Sequence, residues 1–136
     1  MVFEFIIGVL TGLAIVGFAR FTQFDQDRSF YATVLIVITS YYILFAFMGG
    51  EGIDPLDVVV ALILSAAALL GVYMKWPMLI AYSILAHGIL DFFHHHIIDN
   101  AGVPSWWPGF CGGVDVAIFV VLVYLFKSKK IQYNYS

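Results

Sequence analysis

The residues best suited to chemistry are concentrated in one apolar stretch of the chain. All four histidines lie between Ser83 and Ile98, with Asp91 among them. Ionisable side chains are costly in hydrocarbon and rare in segments this apolar, so such a cluster indicates a functional site. A helix turns about 100° per residue, so four polar residues of this stretch lie along one stripe of its surface. They are Ser83, His87, Asp91 and His94.

The stripe predicts a metal site. Imidazole and carboxylate groups at positions i, i+4 and i+7 of a helix can converge on one cation, and zinc, iron and copper accept such ligands. We therefore expect His87, Asp91 and His94 to bind a divalent transition metal, zinc in the first place and iron or copper as alternatives. His95, on the flank of the stripe, is a further candidate ligand, whereas His96 points away. The structural alternative is a hydrogen-bond network between helices, but such networks usually need only one or two polar groups.

Two residues of the stripe are also candidates for catalysis. Ser83 lies one helical turn before His87 and is a candidate nucleophile. Asp91 is a candidate acid or base beside a bound ion. The alternative for Ser83 is that its hydroxyl bonds to the backbone of its own helix, as serine often does in membrane helices.

The next apolar stretch supplies a second aspartate at a similar depth. Cys111 and Asp115 are one turn apart on one face of a predicted helix. The connection to the preceding helix is short, so the two helices are expected to be antiparallel neighbours. We therefore predict that Asp115 faces His87 and Asp91 and is a metal ligand. For Cys111, a small apolar filler is the favoured interpretation and a thiolate ligand the alternative.

Composition shows which solvent surrounds these elements. The chain is 62% hydrophobic and 11% charged, with a mean hydropathy of +0.98. A water-soluble domain of this size could not bury so much apolar surface, so the surroundings must be lipid. Five stretches are long enough to cross a hydrocarbon core of about 30 Å. They lie near Val2–Phe18, Phe30–Met48, Leu56–Tyr73, Pro77–Ile97 and Pro108–Phe126. The prediction is an all-α bundle of five transmembrane helices that forms a single domain over residues 1–136.

The charges predict the orientation of this bundle. With five spans, the first loop, the third loop and the C-terminal segment share one side, and they hold all six Lys and Arg residues. The opposite side carries Glu51, Asp54 and Asp99 instead. The positive-inside rule therefore places the C-terminus in the cytoplasm and the N-terminus outside. We expect a multi-pass protein of the plasma (inner) membrane whose polar site opens to the external or periplasmic side. The first helix has no basic residue before its apolar run, so we expect a signal anchor.

Two further features have ordinary structural explanations. Asp54 and Asp57 fall at the start of the third helix, where acidic side chains favour the helix dipole and cap the helix. Gly8 and Gly12 form a small-xxx-small pattern, which is typical of close packing between membrane helices.

Two motifs carry a resemblance to known families. Ala86-His87-Gly88-x-x-Asp91 and Trp106-Trp107-Pro108-x-Phe110-Cys111 resemble those of a family of small bacterial and fungal integral membrane proteins, a domain of unknown function. The resemblance implies no activity, but it implies that the hairpin of the fourth and fifth helices is the characteristic region. A looser similarity links Ser83, His87 and Asp91 to ceramidase-like membrane hydrolases, which place a Ser, an Asp and several His around an intramembrane zinc. That family spreads its motifs over seven helices, whereas here they crowd onto one.

Three functions are compatible with these patterns. The first is a metal-dependent membrane enzyme, a hydrolase or an oxidoreductase, acting on a lipid-like substrate. The second is a transporter or handler of metal ions or protons. The third is an accessory subunit of a larger membrane complex, and a homo-oligomer is a further possible assembly. Nucleic acid is not expected as a partner, because basic residues are too few.

Overall fold

The computed structural model describes residues 2–98 and 100–133, and in these residues it contains five long helices and no strand. The helices are α1 (Val2–Thr22), α2 (Phe30–Gly49), α3 (Pro55–Tyr73), α4 (Pro77–Ile97) and α5 (Trp107–Lys127). A single 3-10 turn, Phe24–Gln26, follows α1. Each of the five helices has the length and hydropathy to cross a membrane. The predicted all-α membrane bundle is therefore confirmed, with helix ends within a few residues of the expected positions.

The helix ends follow from local residue types. Pro55 and Pro77 open α3 and α4, where a missing backbone N–H costs nothing and the fixed φ suits the helix. Asp54 caps α3 by accepting a hydrogen bond from the N–H of Leu56 at 2.9 Å. The helix α2 ends at Gly49 and is followed by the cap residue Gly50, whose φ of 73° is readily adopted only by glycine.

The helix α1 lies along α5 and runs parallel to it. Gly8 of α1 packs on the backbone of Phe110, and Gly12 packs on the backbone of Val114. A methyl group at Gly8 would overlap the carbonyl oxygen of Phe110, so only glycine permits this approach. The small-xxx-small pattern of α1 is thus a packing face for α5, as the sequence indicates.

The remaining helices surround α4. The helix α5 packs on one side of α4, while α2 and α3 pack on each other and on its other side. The alternating direction of the helices places every Lys and Arg at one end, which we call the basic end. There Arg20 pairs with the buried Asp25 at 2.9 Å and donates to the carbonyl of Lys130 at 3.2 Å. The other end, with the α2–α3 and α4–α5 connections, is the site end.

The interior differs between the two ends. The half toward the basic end is a continuous apolar core that includes Leu35, Ile84, Ile118 and Leu122. The buried polar side chains toward the site end come from α2, α3, α4 and α5. The bundle therefore brings side chains from four helices together in one half of its interior.

Candidate metal centre

His87 lies at the middle of the polar half and is only 1% exposed. Its Nδ1 is 2.7 Å from Oδ2 of Asp115 and 3.5 Å from Oδ2 of Asp91. The contact with Asp115 confirms that α5 presents this aspartate to the stripe of α4. Gly88 permits the approach, since a side chain there would meet Cβ of Asp115.

Asp91 is held from the side of α2. The hydroxyl of Tyr42 donates to its Oδ1 at 2.6 Å, and both side chains are buried. Such a short bond between a hydroxyl and a carboxylate is among the stronger hydrogen bonds in proteins. It fixes the orientation of Asp91 and leaves Oδ2 facing His87.

Four side chains offer ligand atoms at one point. His87, Asp91, Cys111 and Asp115 each contribute one such atom, and these atoms all lie within 4.8 Å of one another. All four residues are buried. Imidazole nitrogen, thiolate sulfur and carboxylate oxygen are the common ligands of zinc. The arrangement is therefore a group that can hold a transition-metal ion.

Several polar atoms of this region lack a hydrogen-bond partner among the described residues. They are His87 Nε2, Asp91 Oδ2, Asp115 Oδ1 and His94 Nδ1. Leaving a buried polar atom unpaired costs about 1–3 kcal/mol, and more if the group is charged. Such atoms are uncommon in folded proteins, and three of these four belong to the cluster, where a bound ion can satisfy them.

His94 belongs to a second polar group at the site end. Its Nε2 lies 3.0 Å from Oδ1 of Asp57, and its ring stacks on that of Tyr42 with the centroids 3.9 Å apart. Asn100 donates to Oδ2 of Asp57 and to the backbone carbonyl of Tyr42, both at 2.9 Å. His94 is buried but is not one of the four residues whose ligand atoms converge. Asn100, in the α4–α5 connection, and His94 therefore link α2, α3 and α4 by hydrogen bonds at the site end.

Besides His94, two more of the candidate residues, Ser83 and His95, lie outside the cluster. The hydroxyl of Ser83 donates to the carbonyl of Leu79 at 2.7 Å, which is the backbone bond anticipated as its alternative. His95 is exposed, with its ring 6.0 Å from that of His94. His96 is exposed as well. Asp99, counted among the acidic residues of this side, lies outside the described residues.

Sequence reasoning missed several participants. Tyr42 lies within an apolar helix and carries no periodic signal that would distinguish it from an interfacial tyrosine. Asp57 has the position of an ordinary first-turn acid of α3, and that position gives no sign of its contact with His94. For Cys111 the sequence favours a small apolar filler over a thiolate ligand, whereas its sulfur lies in the cluster. Its position one turn from Asp115 was the one signal that could have found it.

The fold and the cluster together define a multi-pass helical membrane protein with a buried group of side chains that can hold a metal ion. Comparisons of the chain with family models, with curated proteins and with solved structures find no match. The assignment of a function therefore depends on the geometry of the site itself.

Proposed function

We propose that this protein binds one divalent transition-metal ion in the interior of its membrane bundle. The ligands are His87, Asp91, Cys111 and Asp115. The observation that carries the proposal is the convergence of their four ligand atoms within 4.8 Å at a fully buried point. A buried hydrogen-bond network would pair its polar atoms with one another, yet here three of the four side chains retain an unpaired atom.

The charges of the cluster favour a divalent ion. Two carboxylates, Asp91 and Asp115, are buried in the half of the interior that faces away from every Lys and Arg. Uncompensated charge is very costly in such a medium. A divalent cation with two carboxylates, a neutral imidazole and the Cys111 thiolate leaves a net charge of −1, whereas the same four deprotonated ligands without the ion would carry −3. Two protons would neutralise the two carboxylates as well, but protons alone would provide no partner for the unpaired nitrogen of His87.

The donor set favours zinc among divalent ions. Mg²⁺ and Ca²⁺ prefer oxygen ligands and higher coordination numbers, so an imidazole and a sulfur argue against them. Zinc takes four ligands of mixed nitrogen, sulfur and oxygen type in a tetrahedral arrangement. Iron and copper also accept these donors, so metal analysis must identify the ion. The looser similarity to intramembrane zinc hydrolases points to the same metal.

We further propose that the ion serves a metal-dependent enzyme. A cavity of about 70 Å³ adjoins the cluster on the side of His87 and Asp91 and leaves room for a reactant beside the ion. Zinc in such a position polarises a bound group and lowers the pKa of water. A transmembrane ion path is less well supported, because the interior toward the basic end is an apolar core. The hydroxyl side chains of α2 do not form a continuous path: Thr33 and Ser40 are exposed and bond to their own backbone, and Thr39 alone of the three is buried.

The charge distribution supports an orientation. All six Lys and Arg residues lie at the basic end, so the positive-inside rule places that end in the cytoplasm. The site end would then face the external side of the plasma membrane. Cysteine labelling tests this orientation. Single cysteines are introduced at Glu51 and at Lys129 in a Cys111→Ser background, and intact cells are treated with a thiol reagent that does not cross membranes. Labelling of intact cells at position 129 but not at position 51 would contradict the orientation.

Metal analysis of matched variants tests the main proposal. We would purify the wild type, Asp91→Asn and Asp115→Asn in mild detergent and measure bound metals by mass spectrometry. The wild type should carry about one ion per chain, and both variants should lose most of it, because each loses a charged ligand. Asp54→Asn is the control, since it makes the same chemical change at a helix cap outside the cluster. A wild type that binds no metal after loading, or an Asp91→Asn protein with wild-type metal content, would contradict the proposal.

A further inference from the structure

A lateral groove opens on the side of the bundle where α1 and α2 separate. Among the described residues of the five long helices, α1 packs on α5, α2 packs on α3 and α4, and α1 and α2 do not pack on each other. The gap between α1 and α2 has a floor formed by α5. The walls of this groove include Ile15 of α1, Val34 and Val37 of α2, and Phe110 of α5.

The walls of the lateral groove are apolar. Thr11 and Thr33 also line it, but their hydroxyls donate to the carbonyls of Ile7 and Ser29 in their own helices, each at 2.9 Å. A threonine hydroxyl has one proton to donate, so these bonds leave no donor for a ligand. The groove lies between helices that are long and apolar enough to cross a membrane, where the surrounding medium is hydrocarbon. A hydrocarbon chain is therefore the ligand that matches these walls.

The groove covers about half the thickness of a bilayer. Along α2 it extends from Phe30 to Tyr41, which are about 16 Å apart at 1.5 Å per residue. Trp107 closes it toward the site end, because its ring packs on those of Tyr41 and Phe45 with the centroids 5.4 and 5.0 Å apart. The hydrocarbon core is about 30 Å thick, so each leaflet contributes about 15 Å. The groove thus has the length of one lipid chain in one leaflet.

At the basic end the groove continues into a polar recess. The recess shares Phe30 and Thr33 with the groove. All Lys and Arg residues of the protein lie at this end, and the exposed Arg28 belongs to the same turn as the recess. The phosphate of a lipid is negatively charged, so basic residues attract it, whereas the acidic residues of the site end repel it. The recess adds three polar side chains to its lining: Gln23, Asp27 and Ser29.

We propose that the lateral groove binds one acyl chain of a membrane phospholipid whose head group lies in the recess at the basic end. The chain follows α2 from Phe30 toward Tyr41, and its terminal carbons lie against Phe110 and Cys111 of α5. Cys111 both lines the groove and belongs to the cluster. The bound lipid therefore packs on the helix that carries two of the proposed metal ligands, but its binding does not depend on a metal ion.

A helix of a second copy fits the groove less well than a lipid chain. A membrane helix crosses the whole hydrocarbon core, whereas this groove is closed by Trp107 after about half of that distance. Helices in membranes also approach each other through small residues. Gly8 and Gly12 of α1 already pack on α5, and the groove presents bulky side chains such as Val37 and Phe110 instead. A flexible chain can adapt to such walls.

Photolabelling tests both the site and the orientation of the lipid. The protein is reconstituted in vesicles of dioleoyl phosphatidylcholine that contain a trace of phosphatidylglycerol with a diazirine on one acyl chain. A diazirine at the end of the chain should label mainly Tyr41, and a diazirine beside the ester should label mainly Phe30. The labelled residues are identified by peptide mass spectrometry. The reverse order of the two labels would overturn the proposed position of the head group.

Val37 and Val59 provide the internal control for the labelling. They are the same residue type and are 45% and 46% exposed, but Val37 lines the groove and Val59 lies on the surface of α3 outside it. Ordinary contact with the surrounding lipid should label them equally. We expect several-fold more label on Val37, because a chain held in the groove stays beside it. Equal label on the two valines would overturn the proposal.

A groove-filling variant provides an independent measurement on the purified protein. Phospholipid that remains after washing in mild detergent is extracted and measured by mass spectrometry. The wild type should retain one phospholipid per chain, and Val34→Trp should lose most of it, because the indole occupies the groove. Val59→Trp is the control and should retain the lipid. Both variants should keep the melting temperature of the wild type, so that a loss of lipid reports on the groove and not on unfolding.

The remaining outcomes separate this proposal from the metal site. A wild type that retains no phospholipid, or a well-folded Val34→Trp protein that retains as much as the wild type, would overturn the groove as a lipid site. Disulfide-linked dimers of Val37→Cys in a Cys111→Ser background would show that a second copy occupies it, which also overturns the proposal. If Val34→Trp does not fold, the labelling of the wild type decides. The metal content of the wild type is measured separately, so either proposal can fail without the other.

Discussion

Removing the hydroxyl of Tyr42 tests whether the polar network is organised around a metal ion. Tyr42→Phe deletes the donor that reaches Oδ1 of Asp91 at 2.6 Å. It preserves the ring that stacks on His94 at 3.9 Å and the backbone carbonyl that accepts from Asn100. The substitution therefore changes one hydrogen bond to one proposed ligand and leaves the packing of α2 on α4 in place.

The expected loss follows from the role of that bond. Outer-shell partners of metal ligands typically contribute about 10- to 100-fold to metal affinity. A factor of ten corresponds to about 1.4 kcal/mol, so Tyr42→Phe should weaken binding by about 1.4–2.8 kcal/mol. This range agrees with the roughly 1.5–3 kcal/mol of a hydrogen bond to a charged group. Both estimates predict that Tyr42→Phe lowers the zinc affinity at least about tenfold, a change that a competitive titration resolves.

The assay is a competitive zinc titration in detergent, with a chromophoric chelator as the competitor. Tyr41→Phe is the matched control, because it removes the same atom from the adjacent residue, whose ring packs on Trp107 instead. We expect the zinc affinity of Tyr41→Phe to equal that of the wild type. If Tyr42→Phe bound zinc within twofold of the wild type, Asp91 would not be a ligand held by Tyr42, and the reasoning from its orientation would fail.

Three further outcomes are expected. Gly8→Ala should lower the free energy of unfolding of the detergent-solubilised protein by about 1–3 kcal/mol, as overpacking does, because the added methyl group meets the backbone of α5. Gly17→Ala should not lower it, because Gly17 faces open space. Equal melting temperatures of these two variants would contradict the close packing of α1 on α5. Ser83→Ala should retain the metal content and activity of the wild type, because its hydroxyl is bonded to its own backbone; loss of activity alone would restore Ser83 as a nucleophile. His95→Ala should keep its metal in mass spectrometry, because His95 is exposed, and a halved metal content would show that it is a ligand.

Much of the site could be predicted because its key contacts are local or nearly so. His87 and Asp91 are one turn apart, and helical periodicity alone places them on one face. Asp115 is 28 residues from His87, but a short hairpin between two membrane helices forces them to be neighbours. The remaining contacts span 37 residues between Asp57 and His94 and 49 residues between Tyr42 and Asp91. No rule of spacing relates such positions, because they depend on which helices pack against α4.

The chain by itself determined the five helices, their lengths and the end at which the basic residues lie. These properties follow from hydropathy, proline and glycine positions and charge, which act on each segment separately. The tertiary structure decided which polar side chains meet. It placed Cys111 in the cluster, Tyr42 against Asp91 and Asp57 against His94, and it left His95 exposed. The reason is that an apolar helix in lipid has no single face that must be buried. Contacts of small residues and shared hydrogen bonds, rather than hydropathy, therefore select its neighbours and its rotation.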